Sequence, residues 1–386
     1  MKVVHFRSRY RFYRLLFVSL LACGSLFSSL ALSSLPGHAA SLAAHSGPKP
    51  KSNPVQPLDT VRSGNSAIIL VHGMAGASSL DSNASAYDCK AYFSDLLDYL
   101  SKPHGIEGSW HNQDIRLIGF YNGDTNCTNG RETAHAANLH DPEYTRQCSN
   151  YYPENTNPSQ DGTHDESIYH LSCLFAWYLY YNFGTRGWTS SIITHSMGGL
   201  LVRNTIYQVQ KSKATWTMPS TLGIIQDVID FGVPNNGEPV NVCHCTQGED
   251  IRGGSFFMNE MTNSADNPQA GGTDWTLMSS VYDTIASPSF DYDGLNIPNA
   301  GHKIFYDVQH DTQGNAFGYG HDDYFHYRDN NGKLINDDNW IYTQSWCDWQ
   351  TQGASTCNSI ANFANCLDQC VGPMYDMWHA LWYDSW

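Results

Sequence analysis

Charge is what this chain lacks most. Asp, Glu, Lys and Arg make up 15% of its 386 residues, against roughly 25% in ordinary soluble domains. Positive charge is the scarcer kind: 21 Lys and Arg stand against 37 Asp and Glu, a formal net charge of −16 at pH 7. Such a chain is repelled by nucleic acid and by anionic membrane surfaces. Outside the first forty residues there is no basic cluster to offset this, and no run of about 20 apolar residues that could span a bilayer. Internal repeats are also missing. So is the paired C-x2-C spacing of a zinc site, since Cys243-His244-Cys245 and Cys366 with Cys370 do not supply it. These absences exclude nucleic-acid binders, multi-span membrane proteins, solenoids and zinc ribbons.

What is present points outward from the cell. Lys2, Arg7, Arg9, Arg11 and Arg14 precede an apolar stretch from Leu15 to Leu32, and Pro36, Gly37, Ala39 and Ala40 supply a cleavage region. That is the layout of a secretory signal peptide over residues 1–40. Its rivals are an uncleaved anchor and a lipoprotein signal ending at Cys23, but the apolar run continues well past that cysteine. Removing the segment takes five positive charges with it and moves the formal balance from −16 to about −21. Ten cysteines remain: Cys89, Cys127, Cys148, Cys173, Cys243, Cys245, Cys347, Cys357, Cys366 and Cys370. An even count in an exported chain argues for disulfides, with connectivity that sequence does not give.

Residues 41–62 are rich in Ser, Pro and Ala and read as a flexible linker, leaving 63–386 as the folded domain. Ala67 to Val71 is a continuous β-branched run, as expected of a central strand in a parallel sheet. Helical spacing follows over Asp88–Leu100, then a strand over Asp114–Tyr121. Further along come a helix over Ser167–Phe183, a strand over Trp188–Thr194 and a helix over Ser196–Gln210. Strands are also expected over Ile224–Val233 and Lys303–Val308. Residues 122–163 and 235–300 read as irregular inserts, the first tied by disulfides and the second forming a cap or lid. Alternating strands and helices predict an α/β domain with a mostly parallel central sheet flanked by helices.

The chemistry concentrates at Ile192-Ile193-Thr194-His195-Ser196-Met197-Gly198-Gly199. A strand runs into a tight turn carrying a serine, and a helix leaves it: a nucleophile elbow. Small residues are needed where strand and helix pass, and Gly198 and Gly199 meet that need. The usual pattern is G-x-S-x-G, and Thr194 stands where its first glycine would be. A second element is Leu70-Val71-His72-Gly73-Met74, and a third is Asp230-Phe231-Gly232-Val233-Pro234. Together these resemble secreted bacterial lipases and esterases of the α/β-hydrolase superfamily. The resemblance implies an α/β-hydrolase fold with cap or lid insertions, and oxyanion donors at the backbone amides of Met74 and Met197. His72 and His195 read as structural.

In that superfamily the chain order is nucleophile, acid, base. The acid is then expected beyond the strand at Lys303. Asp338, in Asp338-Asn339-Trp340-Ile341-Tyr342-Thr343-Gln344-Ser345, fits the family spacing, with Asp337 and Asp311 as alternatives. For the base, His379 is the only histidine after Ser345, and His321 is its competitor. If His321 serves, Asp311 inherits the role of acid. A metal on His321, Asp322, Asp323 and His326 matches no strong spacing, so neither metal nor cofactor is expected. The implied activity is hydrolysis of small-molecule or lipid carboxylic esters through an acyl-enzyme on Ser196. Acyl transfer to another acceptor, peptide hydrolysis, or a non-catalytic binding role on the same scaffold are the alternatives.

Overall fold

The computed structural model describes residues 66–74, 86–102, 110, 114–130, 137–149, 160–211, 223–239, 243–263, 273–280, 282–286, 297, 300, 302–306, 309–310, 316–317, 319–325, 345–349 and 373–382. Of Asn263, 309–310, 316–317, 345–349, Tyr375, His379 and Trp382 only the backbone is described.

The elements in chain order are β1 (Ser66–Val71), α1 (Cys89–Tyr92), α2 (Ser94–Ser101), β2 (Ile115–Ile118), α3 (Pro142–Cys148) and α4 (Ile168–Asn182). Then come β3 (Thr189–His195), α5 (Met197–Gln210), β4 (Ile225–Phe231), α6 (Thr246–Asp250) and α7 (Phe256–Asn263). The chain continues through β5 (Asp274–Ser280), β6 (His302–Tyr306), β7 (Gln309–His310), β8 (Ala316–Phe317), β9 (Ser345–Trp349) and α8 (Pro373–Trp382). Strands β1 to β6 pair in parallel in the order β2-β1-β3-β4-β5-β6, and β9 closes that edge antiparallel to β6. The parallel sheet and its order give the α/β-hydrolase fold expected from sequence.

Period-two alternation divides each central strand between two cores. Ile69, Val71, Ile192 and Val228 face one core with α4 and α5; Ile68, Leu70, Ile193 and Ile229 face the other with α2 and α8. Because both faces are covered, β1 reads as an unbroken apolar run over Ala67–Val71, and β3 and β4 each carry an adjacent apolar pair, Ile192-Ile193 and Val228-Ile229. Helix α4 is buried almost all round, so its polar side chains need internal partners. Ser172 Oγ donates to the Ile168 carbonyl at 2.7 Å and accepts from Asn204 Nδ2 at 2.9 Å, joining α4 to α5.

Two disulfides fasten the first insert to this frame. Cys89–Cys127 ties α1 to the turn after β2, and Cys148–Cys173 ties α3 to α4. Their separations of 38 and 25 residues correspond to about 3–4 kcal/mol each in loop entropy removed from the unfolded chain. A third bridge, Cys243–Cys245, closes a three-residue loop. The second insert differs from expectation: residues 235–300 hold helices α6 and α7 and the sheet strand β5. Strand β5 lies in the parallel sheet between β4 and β6. Among the described residues no helix is long and apolar enough to cross a membrane.

Candidate active site

Strand β3 delivers Ser196 at its C-terminal end, the end of a parallel sheet at which α/β ligands bind. Ser196 has φ 54° and ψ −134°, a backbone region that costs about 1–3 kcal/mol for a residue with a side chain. The neighbours hold it there. The Ser196 amide donates to the Phe231 carbonyl at 3.0 Å, and Gly199 donates to the Ser196 carbonyl at 3.0 Å. The glycine pair is required by close approach. A Cβ on Gly198 would lie 2.5 Å from the His72 carbonyl, and one on Gly199 would lie 2.3 Å from Val233 Cγ2.

Thr194 fits where a glycine was expected because its branch is put to use. It lies in the strand, and its Oγ1 donates to Asp230 Oδ1 at 2.6 Å across the β3–β4 pair. Burial pushes the Asp230 carboxyl up to about 6, with the Thr194 bond pulling the other way. Asn235 approaches the second carboxylate oxygen at 3.5 Å, and Arg203 donates to the Asn235 carbonyl at 2.8 Å.

The imidazole against Ser196 belongs to His321: its Nε2 is 2.8 Å from Ser196 Oγ. Its Nδ1 lies 3.1 Å from each oxygen of Asp283. Asp283 is buried and well satisfied. Its Oδ1 accepts from the Ile285 and Ala286 amides at 2.9 Å, and its Oδ2 accepts from the Tyr324 hydroxyl at 3.0 Å. Burial alone would depress the His321 imidazole, but the hydrogen bond and charge of Asp283 outweigh it and hold the ring above its ordinary value. A short turn presents the ring: the Gly320 amide donates to Asp323 Oδ2 at 3.0 Å, and the Asp323 amide to the Gly320 carbonyl at 2.9 Å. Gly232, at φ +55°, lies beneath the pair, where a Cβ would come within 2.7 Å of Asp283 Oδ2.

The structure brings a different histidine and aspartate to Ser196 from those expected. His379 was expected at Ser196, and His321 occupies that place. The backbone of His379 lies in α8, whose Met374, Met377 and Trp378 belong to a core. Asp338, Asp337 and Asp311 lie outside the described residues, and the carboxylate on His321 is that of Asp283. The physical reason is a strand count. Asp283 follows β5 and His321 follows β6, so leaving β5 unread moves each expected residue one strand downstream. The signal was available in Thr273-Asp274-Trp275-Thr276-Leu277-Met278-Ser279-Ser280, a strand-length segment with Asp283 three residues beyond its end.

Of the two residues expected to supply oxyanion amides, Met197 directly follows Ser196, and Met74 follows Gly73, which borders it. Met197 opens α5, so its amide belongs to the first turn, where no preceding helical carbonyl takes it. Gly73 presses on the nucleophile: a Cβ there would lie 2.7 Å from Ser196 Cβ. The Gly73 carbonyl is held by His72 Nδ1 at 2.8 Å, and all described peptides are trans, so the Met74 amide points the opposite way. His72 is the structural residue expected: buried, stacked on Phe120 at 4.0 Å, with Nε2 3.1 Å from Asp124 Oδ2.

Elsewhere, among the described residues, Asp161, Glu166 and His170 offer ligand atoms within 4.8 Å of one another. Glu166 there already accepts from His140 Nε2 at 2.8 Å, His170 Nδ1 at 2.7 Å and the Gly162 amide at 2.6 Å.

No family model matches the chain, and no curated protein matches it. Several solved structures are similar to it. Lipase B of Aspergillus fumigatus aligns at 14% identity and TM-score 0.36, over 62% of this chain and 42% of its own. Phospholipase PlaB of Legionella pneumophila in complex with thio-NAD aligns at 10% and 0.32, over 66% and 48%. The mature lipase BlEst2 of Bacillus licheniformis aligns at 13% and 0.30, over 61% and 71%. The chain thus spans less than half the length of the first two. Likenesses this distant carry no argument about activity, which rests on the geometry above.

Proposed function

We propose that this protein is a secreted serine hydrolase that cleaves carboxylic esters, with Ser196 as nucleophile, His321 as base and Asp283 as acid. The observation that carries the reading is the line Ser196 Oγ, His321 Nε2, His321 Nδ1, Asp283, with contacts of 2.8 and 3.1 Å. A nucleophile, a base within hydrogen-bond reach and a buried carboxylate orienting that base are the parts acyl transfer requires.

His321 Nε2 takes the Ser196 proton as Oγ attacks the ester carbonyl. Asp283 fixes the ring tautomer and stabilises the imidazolium that results. The amides of Met74 and Met197 receive the oxyanion, and each such donor is worth about 3–4 kcal/mol in the transition state. The imidazolium returns its proton to the departing alcohol, leaving an acyl-enzyme. Water attacks this next, giving its proton to His321, and the carboxylic acid leaves as Ser196 regains its hydrogen. The chemistry uses no cofactor.

The aromatic residues of both inserts support an apolar acyl substrate, and the segment 1–40 supports export. The test is hydrolysis of p-nitrophenyl esters from acetate to palmitate by the wild type beside Ser196→Ala and His321→Ala. Turnover that both substitutions abolish supports the reading, and the chain-length profile separates esterase from lipase. An inert wild type that cleaves peptides would move the assignment to amide substrates.

A further inference from the structure

Ser196 is preceded by His195, which the proposed reaction does not use. Thr194 and His195 are successive strand residues, so their side chains leave opposite faces. Thr194 turns to Asp230, and His195 turns to the loop that carries the base. There its Nε2 lies 2.7 Å from the backbone carbonyl of His321. A carbonyl only accepts, so Nε2 carries the proton and Nδ1 is left as an acceptor. The Tyr92 hydroxyl, at the end of α1, donates to that Nδ1. The His195 ring is buried, with the His321 ring centroid at 4.7 Å and Phe325 edge-on at 5.3 Å.

The connection continues beyond Tyr92. Its ring lies 4.6 Å from that of Tyr87, and the Tyr87 hydroxyl donates to the Met74 carbonyl at 2.9 Å. One buried ring, joined covalently to the nucleophile, thus touches the main chain of the base and connects through two tyrosines to the oxyanion loop.

We propose that His195, held by Tyr92, is a positioning residue: it fixes the main chain of His321 so that the imidazole meets Ser196 and Asp283 together. This rests on the assignment of His321 as base. A loop anchored only by its own turn can shift, and a misplacement of about 1 Å can cost a hundredfold in rate. The same shift would loosen the contact with Asp283. Among the described residues, Asp283 bonds the Nδ1 of His321, the charges of Asp322 and Glu238 also act on the ring, the His195 ring lies against it, and Tyr324 bonds Asp283.

The test compares wild type with His195→Leu, His195→Gln and Tyr92→Phe, by ester kinetics and by nitrogen-15 NMR titration of the His321 ring. In His195→Leu, kcat should fall about tenfold to a hundredfold with KM little changed, and the His321 midpoint should drop. His195→Gln, whose amide can reach the same carbonyl, should recover most of both. Tyr92→Phe should give a smaller change of the same kind, and it judges the proposal alone if His195→Leu does not fold. A loss of thermal stability with kcat and the His321 midpoint unchanged would overturn the proposal, as would Gln failing as completely as Leu. If wild type cleaves no ester, the hydrolase reading falls separately, and the NMR midpoints still decide whether His195 positions His321.

Discussion

Two histidine–aspartate pairs stand at the same end of the sheet, and they differ in what the second ring nitrogen meets. In each, an imidazole nitrogen lies 3.1 Å from a buried carboxylate. In His321–Asp283 the far nitrogen faces a serine hydroxyl, which can give up a proton and attack. In His72–Asp124 it faces the Gly73 carbonyl, which can do neither. The carboxylates differ as well. Asp124 also accepts from the amides of Tyr87, Phe120 and Tyr121, so it organises a turn. Asp283 takes its remaining bonds from within its own loop and from Tyr324, which leaves it free to serve the ring. A His–Asp pair is a structural clamp until a nucleophile completes it.

The sharpest way to break the comparison is to remove each imidazole. His321→Ala should lower kcat/KM by about 10⁴-fold or more with modest loss of stability, whereas His72→Ala should mainly destabilise. Ester kinetics and thermal melts on both variants check this. Asp283→Asn should cost about 10⁴-fold by favouring the wrong tautomer, and Asp124→Asn should instead cost about 1–3 kcal/mol of stability, read from denaturant unfolding. Gly232→Ala tests the floor beneath the catalytic pair. Its Cβ would strike Asp283 at a positive φ, so kcat should fall about tenfold to a hundredfold with KM less affected.

Acid should separate the pairs in order. The proposed mechanism requires neutral His321, whose pKa lies above its ordinary value, so kcat/KM should fall as pH drops through that raised value. The stability His321 contributes has the opposite sense: it is fully present below the unfolded-state pKa and lost as pH rises through the folded one. At Asp124, burial alone would raise the carboxyl, but the His72 ring and the Tyr121 and Tyr87 amides hold it low. Its contribution therefore persists until pH falls through a value below the ordinary carboxylate range. Rate and melting temperature measured on one pH series should show inactivation well before unfolding. The smallest expected effect is His379→Ala, which should leave kcat/KM within about threefold if no triad member is lost.

The turn that carries Ser196 was legible in sequence and the His321–Asp283 pair beside it was not, for a physical reason. Ser196, Gly198, Gly199, Gly73 and Met74 act through local backbone geometry, so each leaves its mark within a few residues of its neighbours. Asp283 and His321 need only to project from the ends of two adjacent strands, and no fixed spacing links them to Ser196 or to each other. Their positions follow from counting strands, and β5 lies among polar, glycine-rich sequence that masks it. The parallel sheet itself was readable in β1, where burial on both faces leaves an unbroken apolar run, and in the apolar pairs at the centres of β3 and β4. His195 was read as inert because adjacent residues at a tight turn point apart. They do, and that divergence is what brings its ring to the base's main chain.

The bond from Thr194 to Asp230 couples what can be changed at the two positions. A glycine at 194 would strip a donor from a fully buried carboxyl, so Thr194→Gly should be destabilising although glycine itself suits the turn. Changing Asp230 alone would orphan the Thr194 hydroxyl in the same way. Two residues on neighbouring strands thus act as one unit, so the loss caused by replacing either alone should exceed what the second replacement adds.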